Sequence, residues 1–418
     1  MEVTVIRKDL RIKHRIKRRY EKKMRKSRKY TFEYANKYSN YLISLSKCLK
    51  GVSWKHSTQQ YYKSCISNTY NDMESMKALN YPCKTGYRIT KIFERGKERE
   101  ITPVHIRQRV IQKVICDNIL TPVIIDKLIY DNGASVKNKG TDFERKRLEK
   151  HLRSAVKEYG GNDFYILNFD FKNFFDSIPH ATCQRVLEKY LEKDVVDITM
   201  KIIKAPYRAR YYKEKRYDKI NEINANTSCG ITLGSQVSQI IALLVPSELD
   251  HYIKDVKRIK YYVRYMDDGC VIARTKEELK DLLDEIKIIC NKLGLTINEK
   301  KTHIVKARKG FTFLKHKYYI TETGKLIKNM SRQSVVRMRR KLKKLHKKYV
   351  NKEIDFSAIY NSLNSWFAHS DYSECKRTQR SMKKLCKELF HKSYKKKFKE
   401  ECNVLQDNTR KKYHWHCI

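Results

Sequence analysis

The segment FYILNFDFKNFFDSIPH, residues 164–180, decides the fold because it joins a strand, an acidic residue and a helix. Six residues of strand character lead into Asp170, and a helix is predicted after them, with Ser177 as its cap and Pro179 in its first turn. Asp170 is therefore expected at the end of a buried strand, where an ionised carboxylate needs a cation or a metal beside it. For a lone aspartate, a buried salt bridge or a helix cap would be the first explanation.

A second acidic feature lies in IKYYVRYMDDGCVIAR, residues 259–274. Two β-prone runs flank Asp267 and Asp268, and this spacing predicts a tight β-hairpin with both acids at the turn. Ordinary turn chemistry is the alternative, because aspartate is common in turns. Acids that pack together raise one another's pKa unless a divalent cation neutralises them. With Asp170, the pair predicts an oxygen-ligand site for two Mg²⁺ or Mn²⁺ ions, of the kind that activates a 3′-hydroxyl and stabilises a leaving pyrophosphate.

The composition indicates a polyanionic partner. The 418 residues include 93 Lys and Arg against 46 Asp and Glu, which gives a formal net charge of +47. Such a chain repels itself unless much of its surface faces a polyanion, and nucleic acid is the leading candidate. An anionic membrane is the competing partner, but the longest apolar run, IIALLV at residues 240–245, is far shorter than the roughly 18 residues of a membrane span. We therefore predict no membrane partner.

The cysteines and the first residues predict a cytoplasmic protein. Twelve cysteines are scattered without a CxxC pair, which favours reduced thiols over disulfides or a zinc site. The first 30 residues contain 14 Lys and Arg and lack the apolar stretch of a secretory signal. His414, His416 and Cys417 near the end are too weak a cluster to be assigned a metal.

With its motifs in this order, the chain resembles reverse transcriptases from about residue 60 to 370. FDFKNFFDSI resembles the first palm motif, and YMDD, residues 265–268, resembles the YxDD box. The resemblance implies an α+β right-hand polymerase fold, with an antiparallel sheet in fingers and palm and a helical thumb. It implies a metal site of Asp170, Phe171, Asp267 and Asp268 holding two Mg²⁺ or Mn²⁺ ions, with dNTP substrates. The implied partners are a structured RNA template and a nucleic-acid primer.

The resemblance also divides the chain into four parts. They are a basic helical extension (1–50), fingers (51–160), a palm with finger insertions (161–325) and a basic helical thumb with its tail (326–418). A solvated charged arm is the alternative for the extension. Within the fingers, YRITKIFERGKEREITPVH predicts a hairpin with a basic tip, and IRQRVIQKVICDNILTPVI predicts a helix that ends near Pro122.

Several residues are implied to bind the incoming nucleotide. Lys97, Arg99 and Arg109 lie at or near positions that hold the triphosphate in this family, and basic side chains suit that task. Phe175 lies where an aromatic side chain excludes the 2′-hydroxyl of ribonucleotides. The alternatives are solvated charges for the basic residues and core packing for the phenylalanine. Gly140 is expected to begin a helix whose amides approach template phosphates.

The segment LGSQVSQ, residues 233–239, departs from the family pattern. Many relatives read QGxxxSP here, whereas this chain has Leu233, Gly234 and Gln239 at the corresponding nucleotide-binding positions. The departure is similar to diversity-generating retroelement enzymes and to defence-associated bacterial lineages. The replaced glutamine helps to read the nascent base pair in the family, so we expect relaxed copying. Small residues also let the backbone approach a base or sugar at the start of the apolar helix that follows.

Two downstream motifs complete the palm. GLTINEKKTHIV, residues 294–305, resembles the motif in which a lysine lies near the leaving pyrophosphate, and Lys301 is the candidate general acid, with Lys300 as the neighbouring alternative. GFTFLKHKYYI, residues 310–320, resembles the primer-grip hairpin, with Lys315 where a glycine is usual.

The thumb follows from periodicity. In residues 334–350 an apolar stripe is formed by Val335, Met338, Leu342, Leu345 and Tyr349. The rest of that helix is basic and suits a template-primer duplex, with four candidate contacts: Arg337, Arg340, Lys341 and Lys344. A solvated face is the alternative. Trp366 is expected in the core.

The predicted function is RNA-directed DNA synthesis in a bacterial or phage retroelement or an antiphage defence system. The alternatives are an error-prone diversity-generating enzyme, template-independent or protein-primed synthesis from one of the 29 tyrosines, and an RNA-binding protein that has lost synthesis. An accessory protein or a homo-oligomer remains open.

Overall fold

The computed structural model describes residues 30–81, 87, 89–94 and 97–390. These residues form two compact units, one from the described parts of Met1–His151 and Leu167–Ile304, the other from those of Leu152–Ile166 and Val305–Ile418. Helices and sheets both occur in the described part, in agreement with the predicted α+β content. The first 29 residues of the predicted extension and the tail from 391 onward lie outside the described residues.

The helices cover most of the described chain. The α-helices are α1 (Phe32–Ala35), α2 (Tyr38–Leu49), α3 (His56–Lys63), α4 (Cys65–Lys77), α5 (Ile106–Ile115), α6 (Thr121–Ile124), α7 (Thr141–Tyr159), α8 (Phe174–Ser177), α9 (His180–Glu188), α10 (Lys193–Lys213), α11 (Tyr217–Asn224), α12 (Gln236–Leu244), α13 (Ser247–His251), α14 (Lys276–Leu293), α15 (Arg332–Val350) and α16 (Phe356–Ser370). Residues 376–390 are also helical.

Nine strands form three sheets in the described residues. The strands are β1 (Thr90–Glu94), β2 (Lys97–Ile101), β3 (Tyr165–Asp170), β4 (Tyr262–Tyr265), β5 (Asp268–Ala273), β6 (His303–Lys306), β7 (Phe311–Phe313), β8 (His316–Ile320) and β9 (Leu326–Met330). The sheets have the orders β1–β2, β4–β5–β3–β6 and β7–β8–β9. The antiparallel pair β1–β2 confirms the predicted fingers hairpin.

The helix predicted to end near Pro122 continues beyond it. A π-helical turn, Cys116–Leu120, joins α5 to α6, and a 3₁₀ turn, Ile125–Lys127, extends the helical path further. Pro122 lies in the first turn of α6, where the missing N–H of a proline costs least. The prediction was wrong because the change of helix type gave the proline a permitted position.

The predicted cap at Ser177 is also wrong. Ser177 is the last residue of the short helix α8, and its hydroxyl donates to the carbonyl of Phe174. Ile178 is extended, as expected for a residue that precedes proline. Pro179 therefore becomes the N-cap, and α9 begins at His180.

The second unit contains the predicted hairpin and thumb helix. Phe313 pairs with His316, so Leu314 and Lys315 form a two-residue turn, and both have positive φ (46° and 72°). This turn type favours glycine, which explains why Lys315 is an unusual residue there. In α15 the apolar stripe is confirmed, since Leu342 is fully buried in a cluster that also contains Trp366.

The described residues bear on two further predictions. No described helix is both long and apolar enough to span a membrane. The nine cysteines in the described part are free thiols, as the absence of CxxC pairs predicted.

Candidate active site

The site is built on the hairpin β4–β5. Tyr265 pairs with Asp268, so the turn consists of Met266 and Asp267, and Asp268 is the first residue of β5 rather than part of the turn. The predicted hairpin is thus correct, with one acid shifted into the strand. Met266 has a φ of 53°, a region that non-glycine residues rarely adopt. The chain holds this residue in an unfavourable conformation at the tip that carries the acids.

Asp170 comes to the same place from the neighbouring strand. β3 runs from Tyr165 to Asp170, as predicted, and lies next to β5 in the sheet. Asp170 is 5% exposed, and the amide of the next residue, Phe171, donates to the carbonyl of Asp267 over 3.3 Å. One backbone hydrogen bond therefore links the end of β3 to the acidic turn.

Gly269 permits the close packing beneath the acids. A Cβ atom at this position would lie 2.1 Å from the ring of Phe169, much closer than van der Waals contact allows. The ring of Phe169 also packs against that of Phe171 at 5.9 Å. The glycine after the two aspartates is thus required by the aromatic residue that precedes Asp170.

The carboxylates act on one another electrostatically. Burial, together with the charges of Asp267 and Asp170, raises the pKa of Asp268 to about 7. Burial and Asp170 also raise the pKa of Asp267, whereas Lys301 and Arg99 lower it. Mutual repulsion of this kind is relieved by a cation.

Lys301 supplies a positive charge at Asp170. Its ammonium lies 2.5 Å from Asp170 Oδ2, and its side chain is 53% exposed. The amide of Asn298 donates to the carbonyl of Asp170 over 2.8 Å, which fixes the loop that carries the lysine. Of the two adjacent lysines that the sequence left open, Lys301 is the one whose ammonium meets the acids.

The donor atoms suit a divalent cation, although the side chains are not arranged around one. Among the described residues, no group of three or more His, Cys, Asp and Glu side chains is placed to hold a metal ion. The three carboxylates and the nearby carbonyl of Phe171 are hard oxygen donors, which Mg²⁺ prefers. Asp170 is paired with Lys301 instead. The residues therefore fit Mg²⁺ by their chemistry, and the lysine provides the balancing charge in this arrangement.

The predicted phosphate-binding residues divide into two groups. Arg99, on β2, is close enough to Asp267 to lower the pKa of that carboxyl. Arg109 lies on α5, where its carbonyl accepts a contact from the thiol of Cys48, and it lines a cavity with Lys55 and His105. The structure brings only the first of these arginines to the acids. The side chain of Lys97 lies outside the described residues.

The LGSQVSQ segment docks against the base of the fingers hairpin. The amide of Thr102 donates to the carbonyl of Leu233 over 3.0 Å. Gly234 has a φ of 112°, and a Cβ atom there would lie 2.9 Å from the carbonyl oxygen of Thr102. Ser235 then caps α12, the apolar helix that was expected to follow the small residues. Gln239 accepts a hydrogen bond from the hydroxyl of Ser135 over 2.9 Å.

Phe175 and the thumb residues complete the predicted set. Phe175 is partly buried, and its carbonyl accepts from the amide of Ile231, two residues before Leu233. This bond joins the segment after Asp170 to the segment before α12. In the second unit the four basic residues predicted to contact nucleic acid are all exposed on α15: Arg337, Arg340, Lys341 and Lys344.

The sequence reasoning missed a buried ion pair that holds the acidic turn. Arg264 is fully buried, and its guanidinium donates to both carboxylate oxygens of Asp250 at 2.7 Å. It also donates to the carbonyl of Met266 over 2.8 Å and to that of Leu243 over 3.0 Å. The signal was available, because an arginine inside the β-prone run YYVRY needs a buried acid.

Comparison with protein families identifies the type of domain. Residues 84–318, more than half of the chain, match the family model described as reverse transcriptase (RNA-dependent DNA polymerase). Two proteins of Saccharomyces cerevisiae, named for introns 1 and 2 of COX1/OXI3, are each 23% identical to this chain, over 271 and 252 residues. Those matches cover 50% and 47% of this chain but only 29% and 28% of the yeast proteins, so the chain spans less than a third of their length.

Solved structures of telomerase are similar at lower sequence identity. Apo telomerase from Candida tropicalis, truncated from its C-terminal domain, is 15% identical, covers 63% of this chain and 60% of its own, and has a TM-score of 0.40. Telomerase from Candida albicans with a fragment of telomeric RNA is 14% identical, covers 67% and 55%, and has a TM-score of 0.41.

Proposed function

Because the chain belongs to the reverse transcriptase (RNA-dependent DNA polymerase) family, we propose that it is an active RNA-directed DNA polymerase. The observation that carries the proposal is the convergence of Asp170, Asp267 and Asp268 at the ends of neighbouring strands, where the charge of Asp170 raises the pKa of both Asp267 and Asp268. A protein that only bound RNA would have no use for three clustered acids in a surface with so large an excess of positive charge.

The three aspartates, with the carbonyl of Phe171, would hold the divalent cations. Bound Mg²⁺ supplies activation of the primer hydroxyl and neutralisation of the leaving pyrophosphate. The protein's own contribution is to keep the carboxylates in register, which the hydrogen bond from the amide of Phe171 to Asp267 supports.

Lys301 is suited to donate a proton to the leaving pyrophosphate. Its ammonium is anchored on Asp170 and its stem is half exposed, so it can move toward a phosphate without leaving the site. Arg99, on the fingers hairpin, lies close enough to Asp267 to lower its pKa and would contact the triphosphate from there. We place the dNTP between these two cations.

The template and primer would follow the basic surfaces. The exposed cations of α15 suit a duplex backbone, and Gly140 directly precedes α7, whose first amides suit template phosphates. Leu233, partly buried at the start of α12, would take the place of the glutamine that reads the nascent base pair in relatives. We therefore propose relaxed copying, in a bacterial or phage retroelement or a defence system.

The test replaces Asp267 and Asp268 together with alanine. We expect primer extension on an RNA template to fall by several orders of magnitude, because residues of one metal site act as a unit. Binding of the RNA, measured by filter retention, should change little.

The matched control replaces Asp281 and Asp284, two exposed acids of α14, with alanine. This control changes the net charge equally and should extend primers like the wild type. Full extension by the Asp267→Ala, Asp268→Ala variant would refute the proposal and leave RNA binding as the function.

A further inference from the structure

A cleft that contains none of the candidate active-site residues lies along α10. Its volume is about 630 Å³, within the range of small-molecule sites. The walls come from α9, α10, α11 and the residues just after α4. The lining residues that matter for binding are Lys201, Lys204, Arg208 and Tyr212, all on α10.

One face of α10 makes the cleft cationic. Lys201, Lys204 and Arg208 follow one another at intervals of three and four residues, which places them on the same side of the helix. Asp197 is the single acid among the lining residues. The lining therefore carries an excess of positive charge that a ligand with phosphate groups would neutralise.

Within the described part of the chain, no acid forms an ion pair with Lys204 in the cleft. Lys204 is partly buried, and burial lowers its pKa, with further lowering by the charge of Arg208. Lys201 donates to the carbonyl of Leu79 over 2.7 Å, which ties the wall at residues 79–81 to the helix. On an ordinary solvated surface, a lysine side chain extends into water and so avoids both burial and the repulsion of a neighbouring cation. The position of Lys204 therefore favours a binding site over a solvated face.

The cleft also offers a surface for a base. Tyr212 is 54% exposed and lies one turn beyond Arg208 on the same face of α10. Exposed aromatic rings beside cations are the usual platform for unpaired bases. Tyr81 and Met200, both buried, close the apolar side of the cleft.

We propose that this cleft binds a nucleotide, with its phosphate on Lys201, Lys204 and Arg208 and its base on Tyr212. The nucleotide is either free in solution or one unit of a single strand. The site is separate from the catalytic carboxylates, and its occupation does not depend on the proposed polymerase activity.

The experiment uses the full-length chain with Asp267→Ala and Asp268→Ala, in EDTA, so that the catalytic site contributes no metal-dependent binding. The probes are ATP and a fluorescent oligoadenylate of roughly ten nucleotides, a length within the usual range for single-strand sites. Saturation by ATP would identify a free nucleotide as the ligand, and binding of the oligomer alone would identify a strand.

Charge reversal tests the assignment of the phosphate. In that background, Lys204→Glu with Arg208→Glu should weaken binding by about tenfold or more and reduce the salt dependence by about 1.4, since each single-strand phosphate contributes about 0.7. The matched control, Lys276→Glu with Lys280→Glu, makes the same charge change at exposed positions of α14 and should weaken binding far less. Equal losses in the two variants would overturn the proposal, because only the total charge would then matter.

Two further measurements, a milder variant and a photochemical cross-link, test the proposal even if the charge-reversal variant does not fold. Tyr212→Ala should weaken binding by about fivefold or more, the lower bound for a stacked base. The probe of the class that binds, either 4-thiouridine triphosphate or an oligonucleotide containing 4-thiouridine, should cross-link within residues 201–213 of the protein that retains all three cleft cations. Cross-links confined to other segments would overturn the proposal even if the charge-reversal variant failed to fold.

Discussion

At the scale of single residues, Arg264 explains how the acidic turn keeps its shape. Met266 occupies a backbone conformation that costs a non-glycine residue about 1–2 kcal/mol. The side chain of Arg264 is itself well bonded. Its four hydrogen bonds to Asp250, Leu243 and Met266 are all between 2.7 and 3.0 Å long. The carbonyl of the strained residue is thus held by a side chain that is itself fixed in the core.

Removing Arg264 should therefore affect stability and synthesis separately. Arg264→Met leaves the buried charge of Asp250 without a cation, although the hydroxyl of Tyr262 still donates to it over 2.7 Å, and should lower the free energy of unfolding by about 3–5 kcal/mol. Adding Asp250→Leu should restore much of that stability, since a buried pair can often be replaced by apolar residues. Primer extension should stay low in the double variant, because Met266 still lacks its donor. Urea unfolding and extension rates measure the two effects, and recovery of both together would show that the pair contributes only stability.

Leu233 is the second residue that gives a prediction, and the prediction concerns copying accuracy. If a missing glutamine relaxes base-pair reading, Leu233→Gln should lower the misincorporation frequency of the purified enzyme on a defined RNA template. Sequencing the products of both proteins measures the change. Identical error spectra would exclude Leu233 as the cause of relaxed copying.

At the scale of elements, the fingers hairpin and α12 are joined where Gly234 meets Thr102. The amide of Thr102 donates to the carbonyl of Leu233. The carbonyl oxygen of Thr102 would lie only 2.9 Å from a Cβ atom at Gly234. The contact sets the position of the segment that precedes α12 relative to β2, which carries Arg99.

A pair of glycine substitutions separates close packing from backbone strain. Gly234 and Gly140 have similar φ angles, 112° and 108°, but a Cβ atom at Gly140 would have no neighbour within 4 Å. Both alanine variants should lose about 1 kcal/mol or more of stability from the left-handed backbone, and Gly234→Ala should lose more, through the clash with Thr102. Thermal unfolding measures both. Equal losses of stability in the two variants would show that the backbone around Thr102 moves to make room for the alanine side chain at no cost in free energy.

At the scale of the whole molecule, the positive charge and the clustered acids suit different tasks. A net charge of +47 attracts nucleic acid without regard to sequence, whereas the three acids are confined to one candidate site. The three aspartates of the candidate site and the cleft of α10 lie in the first unit, and the basic helix α15 lies in the second.

The RNA that co-purifies with the protein should be its template. We expect DNA made from the purified complex to be complementary to one bound RNA, and sequencing of both nucleic acids measures this. Errors biased to adenine positions would indicate a diversifying role, and a repetitive product would indicate defence. DNA unrelated to any bound RNA would contradict templated synthesis and favour the template-independent alternative.

The sequence by itself determined the local elements and the chemical identity of the site. The strand before Asp170, the hairpin around Met266 and the apolar stripe of α15 follow from residue patterns, because each depends on neighbours within a few turns of chain. Only the tertiary structure decided which of two lysines meets Asp170. It also decided that Arg99 rather than Arg109 lies near the acids, and that Arg264 holds the acidic turn. These facts depend on contacts between segments far apart in the chain, and neither periodicity nor spacing contains that information. The helix through Pro122 was missed for a related reason, since local rules mark proline as a helix end and only the π turn before it makes the position acceptable.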